Sequence, residues 1–197
     1  DPSEFLGNPS FVVTSANSEL PAEGGETAIG VKTNTYWWTV KSDQSWATVT
    51  ADTIKGDGTI TVKTIPNELA ESREVKLTFQ SGVIGPDTIL TLVQKGLPAT
   101  INVTPEALKT DAFGETFELN VKSNGKWTVE ILMGQDADKN WCVADVLSGS
   151  RDGVVTLKVA KNANVQLDVR TAIIRFTAGE AVQDVLLTQE GNASCDE

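Results

Sequence analysis

One pattern occurs twice in this chain, about 95 residues apart. Val31-Lys32-Thr33-Asn34 returns as Val121-Lys122-Ser123-Asn124, 90 residues on. Asp57-Gly58-Thr59-Ile60-Thr61-Val62-Lys63 returns as Asp152-Gly153-Val154-Val155-Thr156-Leu157-Lys158, 95 residues on. Arg73 and Phe79 return as Arg170 and Phe176, and Gln94-Lys95-Gly96 as Gln189-Glu190-Gly191. A repeat of this length is a whole small domain, not a solenoid unit. The offset drifts by only a few residues, so the loops differ little. The largest change lies between tryptophans: Trp38 to Trp46 is 8 residues, Trp127 to Trp141 is 14. The boundary falls at Gly96-Leu97-Pro98-Ala99, a short, Pro-containing and semi-rigid linker. It predicts two domains, 8–96 and 98–192.

Each copy alternates polar and apolar residues in short runs broken by turns. Thr (23) and Val (21) dominate the 197 residues, and both suit a pleated surface better than a helix. The alternation predicts strands near 11–14, 27–33, 36–41, 46–50, 59–65, 74–80 and 88–94. In the second copy it predicts strands near 101–104, 116–123, 126–132, 141–147, 154–160, 170–177 and 182–189. Gly24-Gly25, Gly114 and the Asp-Gly pairs at 57–58 and 152–153 supply the turns. Glu68-Leu69-Ala70-Glu71-Ser72 has room for one helical turn. The expected fold is all-β: two tandem immunoglobulin-like β-sandwich domains of about seven strands each.

The charge excludes whole classes of partner. There are 27 acidic and 16 basic residues, a net charge of −11, shared almost evenly as −5 and −6 between the halves. Such a surface repels phosphate backbones and anionic head groups, so nucleic acid is not an expected partner. No run approaches the ~18 apolar residues of a membrane span. The chain has no His, which removes the commonest general base and metal ligand. A Ser-His-Asp or Cys-His site therefore cannot be built. A paired-carboxylate glycosidase is chemically possible, but the 27 acids are scattered and none sits in an evident pocket-forming motif, so a solvated surface explains them. The chain is expected to be non-catalytic and to need no cofactor. With no initiator Met and no signal peptide the chain reads as a trimmed or processed product, and its start, Asp1-Pro2-Ser3-Glu4, as a polar leader.

The order of residues within each copy resembles the BACON domain, the Bacteroidetes-associated carbohydrate-binding often N-terminal module. In the first copy the pattern is Thr33-Asn34, Trp37 or Trp38, Trp46, Asn67, Arg73 and Gln94-Lys95-Gly96. In the second it is Ser123-Asn124, Trp127, Trp141, Asn162, Arg170 and Gln189-Glu190-Gly191. The resemblance covers nearly the whole chain. It implies an immunoglobulin-like sandwich of an exported protein: a Bacteroidetes cell-surface or outer-membrane-anchored lipoprotein whose anchor lies outside these residues. The implied role is adhesion or carbohydrate binding, with polysaccharide or mucin glycans as partners. The alternative is a structural spacer that positions a partner away from the cell surface. Two departures stand out, the adjacent Trp37-Trp38 and the insertion from Leu132 to Asn140.

Neighbours in a strand face opposite sides. Aligning Trp38-Thr39-Val40 with Trp127-Thr128-Val129 turns Trp38 inward and Trp37 outward, beside Thr39 and Lys41. Counting from Asn34 instead matches Trp37 to Trp127, and the sequence leaves both alignments open. An outward indole can stack on a sugar ring, so Tyr36, Trp37 and Lys41 are the candidate ligand-binding residues; inter-domain or cross-strand packing is the other use for such a Trp. Trp46, Trp127 and Trp141 read as core. Arg73 and Arg170 are expected to brace turns or pair with carboxylates, and Asn67 and Asn162 to cap turns. Asp136, Asp138 and Asn140 have the spacing of the first three ligands of a calcium loop. The next position is Trp141 instead of Gly and the twelfth is Leu147 instead of Glu, so the expected reading is a solvated loop with no metal. Cys142 and Cys195 read as one buried and one tail thiol, with a bond between them as the alternative.

Overall fold

A computed structural model describes residues 10–15, 17–35, 37–50, 53–81, 87–134, 140–162 and 169–191. The chain divides into two compact units, Asp1–Leu97 and Pro98–Glu197.

The first unit has eight described strands: β1 (Phe11–Ser15), β2 (Glu19–Leu20), β3 (Gly25–Thr33), β4 (Trp38–Ser42), β5 (Ala47–Val49), β6 (Gly58–Thr64), β7 (Arg73–Ser81) and β8 (Thr88–Gln94). They form two four-stranded sheets, ordered β1-β3-β6-β5 and β2-β8-β7-β4. Pairing is antiparallel except for β2, which runs parallel to β8. The second unit repeats this plan with β9 (Ile101–Thr104), β10 (Ala107–Thr110), β11 (Thr116–Ser123), β12 (Lys126–Met133), β13 (Cys142–Ala144), β14 (Ser148–Ser150), β15 (Gly153–Val159), β16 (Arg170–Ala178) and β17 (Ala181–Gln189). Its sheets are β9-β11-β15-β13 and β10-β17-β16-β12-β14. Strand for strand these are the two layers of an immunoglobulin sandwich, the first strand being shared between the sheets.

The strands predicted from alternation are present, and three short ones are added. β2 and β10 have two and four residues, too few for alternation to register. β14 covers the edge of β12, where the described residues of the first unit make an isolated bridge, Trp38 to Ile54. Residues 68–72 are not helical. The Asn67 amide occupies that bend instead, donating to the carbonyls of Glu71 (2.8 Å) and Lys95 (3.1 Å).

The inward faces carry the alternating apolar residues, and each core is centred on a tryptophan. Trp38 is fully buried, with Phe11 and Phe79 rings 5.8 and 6.0 Å away. Trp127 lies 6.1 Å from Phe176. Burying an indole removes roughly 200 Å² from water, about 5 kcal/mol at ~25 cal/mol per Å². Each indole N–H keeps a partner: Trp38 Nε1 donates to the Gly56 carbonyl and Trp127 Nε1 to the Arg151 carbonyl, both at 2.8 Å.

The Trp127 ring lies against the backbone of Gly149, where an added methyl would overlap it. Gly149→Ala is therefore expected to lower the stability of the second unit by about 1–3 kcal/mol. Gly30→Ala is the control, because its methyl would meet only the Thr14 carbonyl, at 3.8 Å. It is expected not to lower the stability of the first unit, and urea titration of the two variants checks the contrast.

Candidate functional site

The register settles which tryptophan of the adjacent pair is core. Val40 pairs with Phe79 as Val129 pairs with Phe176, and the two indole N–H bonds match. Trp38 is the counterpart of Trp127, and Trp37 occupies the position of the exposed Lys126. Trp37 immediately precedes β4 and is 39% exposed. Lys41 is exposed on β4, and Tyr36 lies outside the described residues. Four extended residues separate Trp37 from Lys41, about 13 Å, so they cannot contact one sugar ring. They can contact successive rings of a chain. Between and beside them the outer face of β4, β7 and β8 offers Thr39, Thr78 and Gln80, with the Gln80 amide donating to Asp87 at 3.1 Å.

A second exposed aromatic was not anticipated. Phe113 is 69% exposed at the turn between β10 and β11. Its N–H donates to the Asp111 carboxylate at 2.8 Å, and the Lys161 ammonium stands 5.4 Å from its ring centroid. The signal in the sequence is the turn Asp111-Ala112-Phe113-Gly114, whose equivalent in the first copy is Asp-free and carries Glu23 in place of Phe113. Gly114 has φ +81, a left-handed conformation that favours glycine.

The repeated residues have a different use. In the first unit the Arg73 guanidinium lies 4.2 Å from the Trp46 ring centroid. Its Nε donates to Gln94 Oε1 at 2.8 Å, and a terminal nitrogen donates to the carbonyls of Ile65 (2.9 Å) and Pro66 (3.0 Å). The Gln94 amide nitrogen reaches the carbonyls of Pro21 (3.1 Å) and Ile65 (2.9 Å). The second unit repeats every element. Arg170 lies 4.3 Å from Trp141 and donates to Gln189 Oε1 at 2.7 Å, while the Gln189 amide reaches Asp111 O (3.2 Å) and Ala160 O (2.9 Å). Asn67 and Asn162 are buried, and each backbone N–H donates at 2.7 Å to Ala22 or Ala112. At the opposite end, Asn34 and Asn124 accept from the N–H of Ser10 (2.7 Å) and Thr100 (2.8 Å). The arginines brace turns through carbonyls and the asparagines close bends, so the shared pattern is spent on the fold.

Asp136 and Asp138 lie outside the described residues, and Asn140 is exposed. Among the described residues no three His, Cys, Asp or Glu side chains are grouped to hold a metal. Among them, too, no helix is long and apolar enough to cross a membrane. Cys142 is a free, buried thiol; Cys195 lies outside the described residues.

Two sandwiches in series, each with an Arg-on-Trp brace, define a tandem immunoglobulin-like protein. Two family models match it over residues 36–192: BACON, described as "Putative binding domain, N-terminal", over residues 36–104, and "Viral BACON domain" over 100–192. The chain belongs to the BACON family and carries two BACON domains in tandem. This is a family of binding or scaffold modules. No curated protein matches the sequence. Among solved structures the chain is similar to the titin A168–A169 tandem, with TM-score 0.55 and 11% identity over 94% of this chain and 99% of that one. It is also similar to a Bacteroides ovatus GH5 xyloglucanase solved with a XXXG heptasaccharide, with TM-score 0.40 and 18% identity over 48% of this chain. The chain spans about a fifth (19%) of that enzyme's length. The titin likeness extends to the fold alone.

Removing the buried amide is expected to open the brace. Gln189→Leu leaves the Asp111 and Ala160 carbonyls and the Arg170 Nε without this partner, and should lower second-unit stability in urea by about 3 kcal/mol. Burial also pushes the Cys142 thiol from its ordinary 9.0 up to about 11, partly offset by Arg170. Between those values the folded state holds a proton that the unfolded state has lost. Second-unit stability is therefore expected to fall by about 2 kcal/mol as pH rises from about 9 to about 11. Cys142→Ala should flatten that slope in urea titrations across the range.

Proposed function

We propose that the chain is a non-catalytic, extracellular glycan-recognition or adhesion module, built from BACON domains at 8–96 and 98–192. The observation that carries this reading is Trp37, a large aromatic 39% exposed beside a sheet face that carries Thr39, Thr78 and Gln80 together with the exposed Ile89. An indole left 39% exposed forgoes about 2 kcal/mol of burial and offers a flat apolar surface to the C–H face of a pyranose. Thr39, Thr78 and Gln80 supply hydroxyl and amide groups beside it, and Lys41 a cation farther along. The net charge of −11 favours neutral glycans over strongly anionic ones. The glycan partner is a polysaccharide or mucin chain long enough to span the distance between Trp37 and Lys41.

A second reading is a spacer, and one observation favours it. The repeated Trp, Arg and Gln side chains are engaged within their own sandwiches. This part of the pattern therefore specifies a stable building block.

Calorimetry against a panel of neutral polysaccharides and mucin glycans separates the readings. The recognition reading expects measurable binding to at least one, weakened about tenfold or more by Trp37→Ala. Absence of binding across the panel would leave the spacer reading.

A further inference from the structure

The outer face of the second unit's larger sheet carries a row of apolar side chains with no equivalent in the first unit. Leu132 on β12 pairs with Ile173 on β16, Ile173 with Leu186 on β17, and Leu186 with Ala107 on β10. These four alternate with inward residues, so they share the outer face. Leu186 is 48% exposed, Ala107 is exposed, and Leu132 and Ile173 are half-buried. The matching row in the first unit is Asp43, Lys76, Thr91 and Asn17, all polar. The fold therefore does not require an apolar row here.

The neighbouring rows are ordered too. Arg175 stands opposite Asp184, joined at 2.8 Å through two parallel bonds, with both side chains about two-fifths exposed (40% and 38%). Glu130 stands beside Arg175 on β12. Thr171 stands opposite Thr188, and Thr177 opposite Val182.

Such a face complements itself. A two-fold axis lying along the strands, midway between β16 and β17 and above the face, carries each residue over its own cross-strand partner. Ile173 then meets the partner's Leu186, Arg175 the partner's Asp184, and Thr171 the partner's Thr188. Apolar meets apolar, cation meets anion and hydroxyl meets hydroxyl. We infer that this face, centred on Ile173, Arg175, Asp184 and Leu186, is an isologous interface through which two copies of the chain associate. β16 and β17 have nine residues each and the sheet has five strands. Under this axis only β10, β17, β16 and β12 overlap their counterparts; at about 3.4 Å per residue and 4.8 Å per strand they span up to about 600 Å², below the ~800 Å² per partner of a standard interface, so the association is a weak one. The pairing does not involve the Trp37 face.

Sedimentation velocity on the full chain tests it by charge exchange. The unsubstituted chain is expected to dimerise as its concentration rises from micromolar towards millimolar. Arg175→Asp gives a face with two negative charges at the centre, and Asp184→Arg one with two positive charges. Each alone should weaken self-association by about tenfold or more. An equimolar mixture of the two should recover a dimer, because each like-charged pair then meets the opposite pair. Leu186→Lys should also disrupt the dimer, and Trp37→Ala should leave it intact. A wild-type chain that stays monomeric, a dimer indifferent to the substitutions, or a mixture of well-folded variants that stays monomeric would overturn the interface.

Discussion

Gln94 and Gln189 are fully buried amides, and the closed end of each sandwich depends on them. A buried amide is costly unless its oxygen and nitrogen are both used. Here the oxygen takes the arginine Nε, and the nitrogen reaches carbonyls before β3 or β11 and after β6 or β15. One side chain thereby ties the last strand of its unit to the turn that leads from its own sheet into β3 or β11 and to the turn that leaves the other sheet at β6 or β15. The arginine needs the glutamine to hold its plane, and with that plane fixed it stacks over the indole at 4.2 or 4.3 Å. Lysine has no planar fork and cannot replace it. The Asn67 and Asn162 bends complete the same end, with each N–H bonded at 2.7 Å to the alanine beside the glutamine's turn.

This network explains which parts of the fold were legible beforehand. Strands such as β3, β7 and β16 alternate over eight or nine residues, so their period was visible. β2 and β10 were not, because a two-residue or four-residue strand is set by the parallel edge it joins and not by its own pattern. The motif residues were readable as a list but not as a device. Arg73 and Gln94 are 21 residues apart, and nothing local says that they share a hydrogen bond. The Trp37-Trp38 ambiguity had the same origin. Alternation alone left two registers, and the decision came from the Trp38 N–H reaching the Gly56 carbonyl, a contact 18 residues away. The bend at 68–72 read as helical because Glu, Leu and Ala favour helix. A single buried asparagine at the preceding turn outweighs that propensity.

The two copies also separate fold from function. The shared Trp, Phe, Asn, Arg and Gln residues lie in the core or in the turn braces. Residues at equivalent outward positions differ: Trp37 against Lys126, Glu23 against Phe113, and Asp43-Lys76-Thr91 against Leu132-Ile173-Leu186. Once duplication has fixed the inward pattern, only outward and loop positions are free to diverge without loss of stability. On the proposed reading, recognition of a ligand or a partner is specific to one copy, and the family pattern does not locate it.

That division bears on how an acidic chain can associate with itself. Two copies at −11 each repel at long range, and screening at physiological salt confines the repulsion to about 8 Å. What decides contact is then the local face. The outer face of β16 and β17 carries Arg175 and Asp184 in balance, with an apolar row beside them. The corresponding face of the first unit has Thr78 opposite the exposed Ile89 at the place of this pair, and the polar row Asp43, Lys76 and Thr91 beside it. A charged pair alone gives specificity more than affinity, since its desolvation offsets most of its attraction. The apolar row supplies the burial that the charged pair lacks, and the pair fixes the alignment that an apolar row alone would leave free to slide.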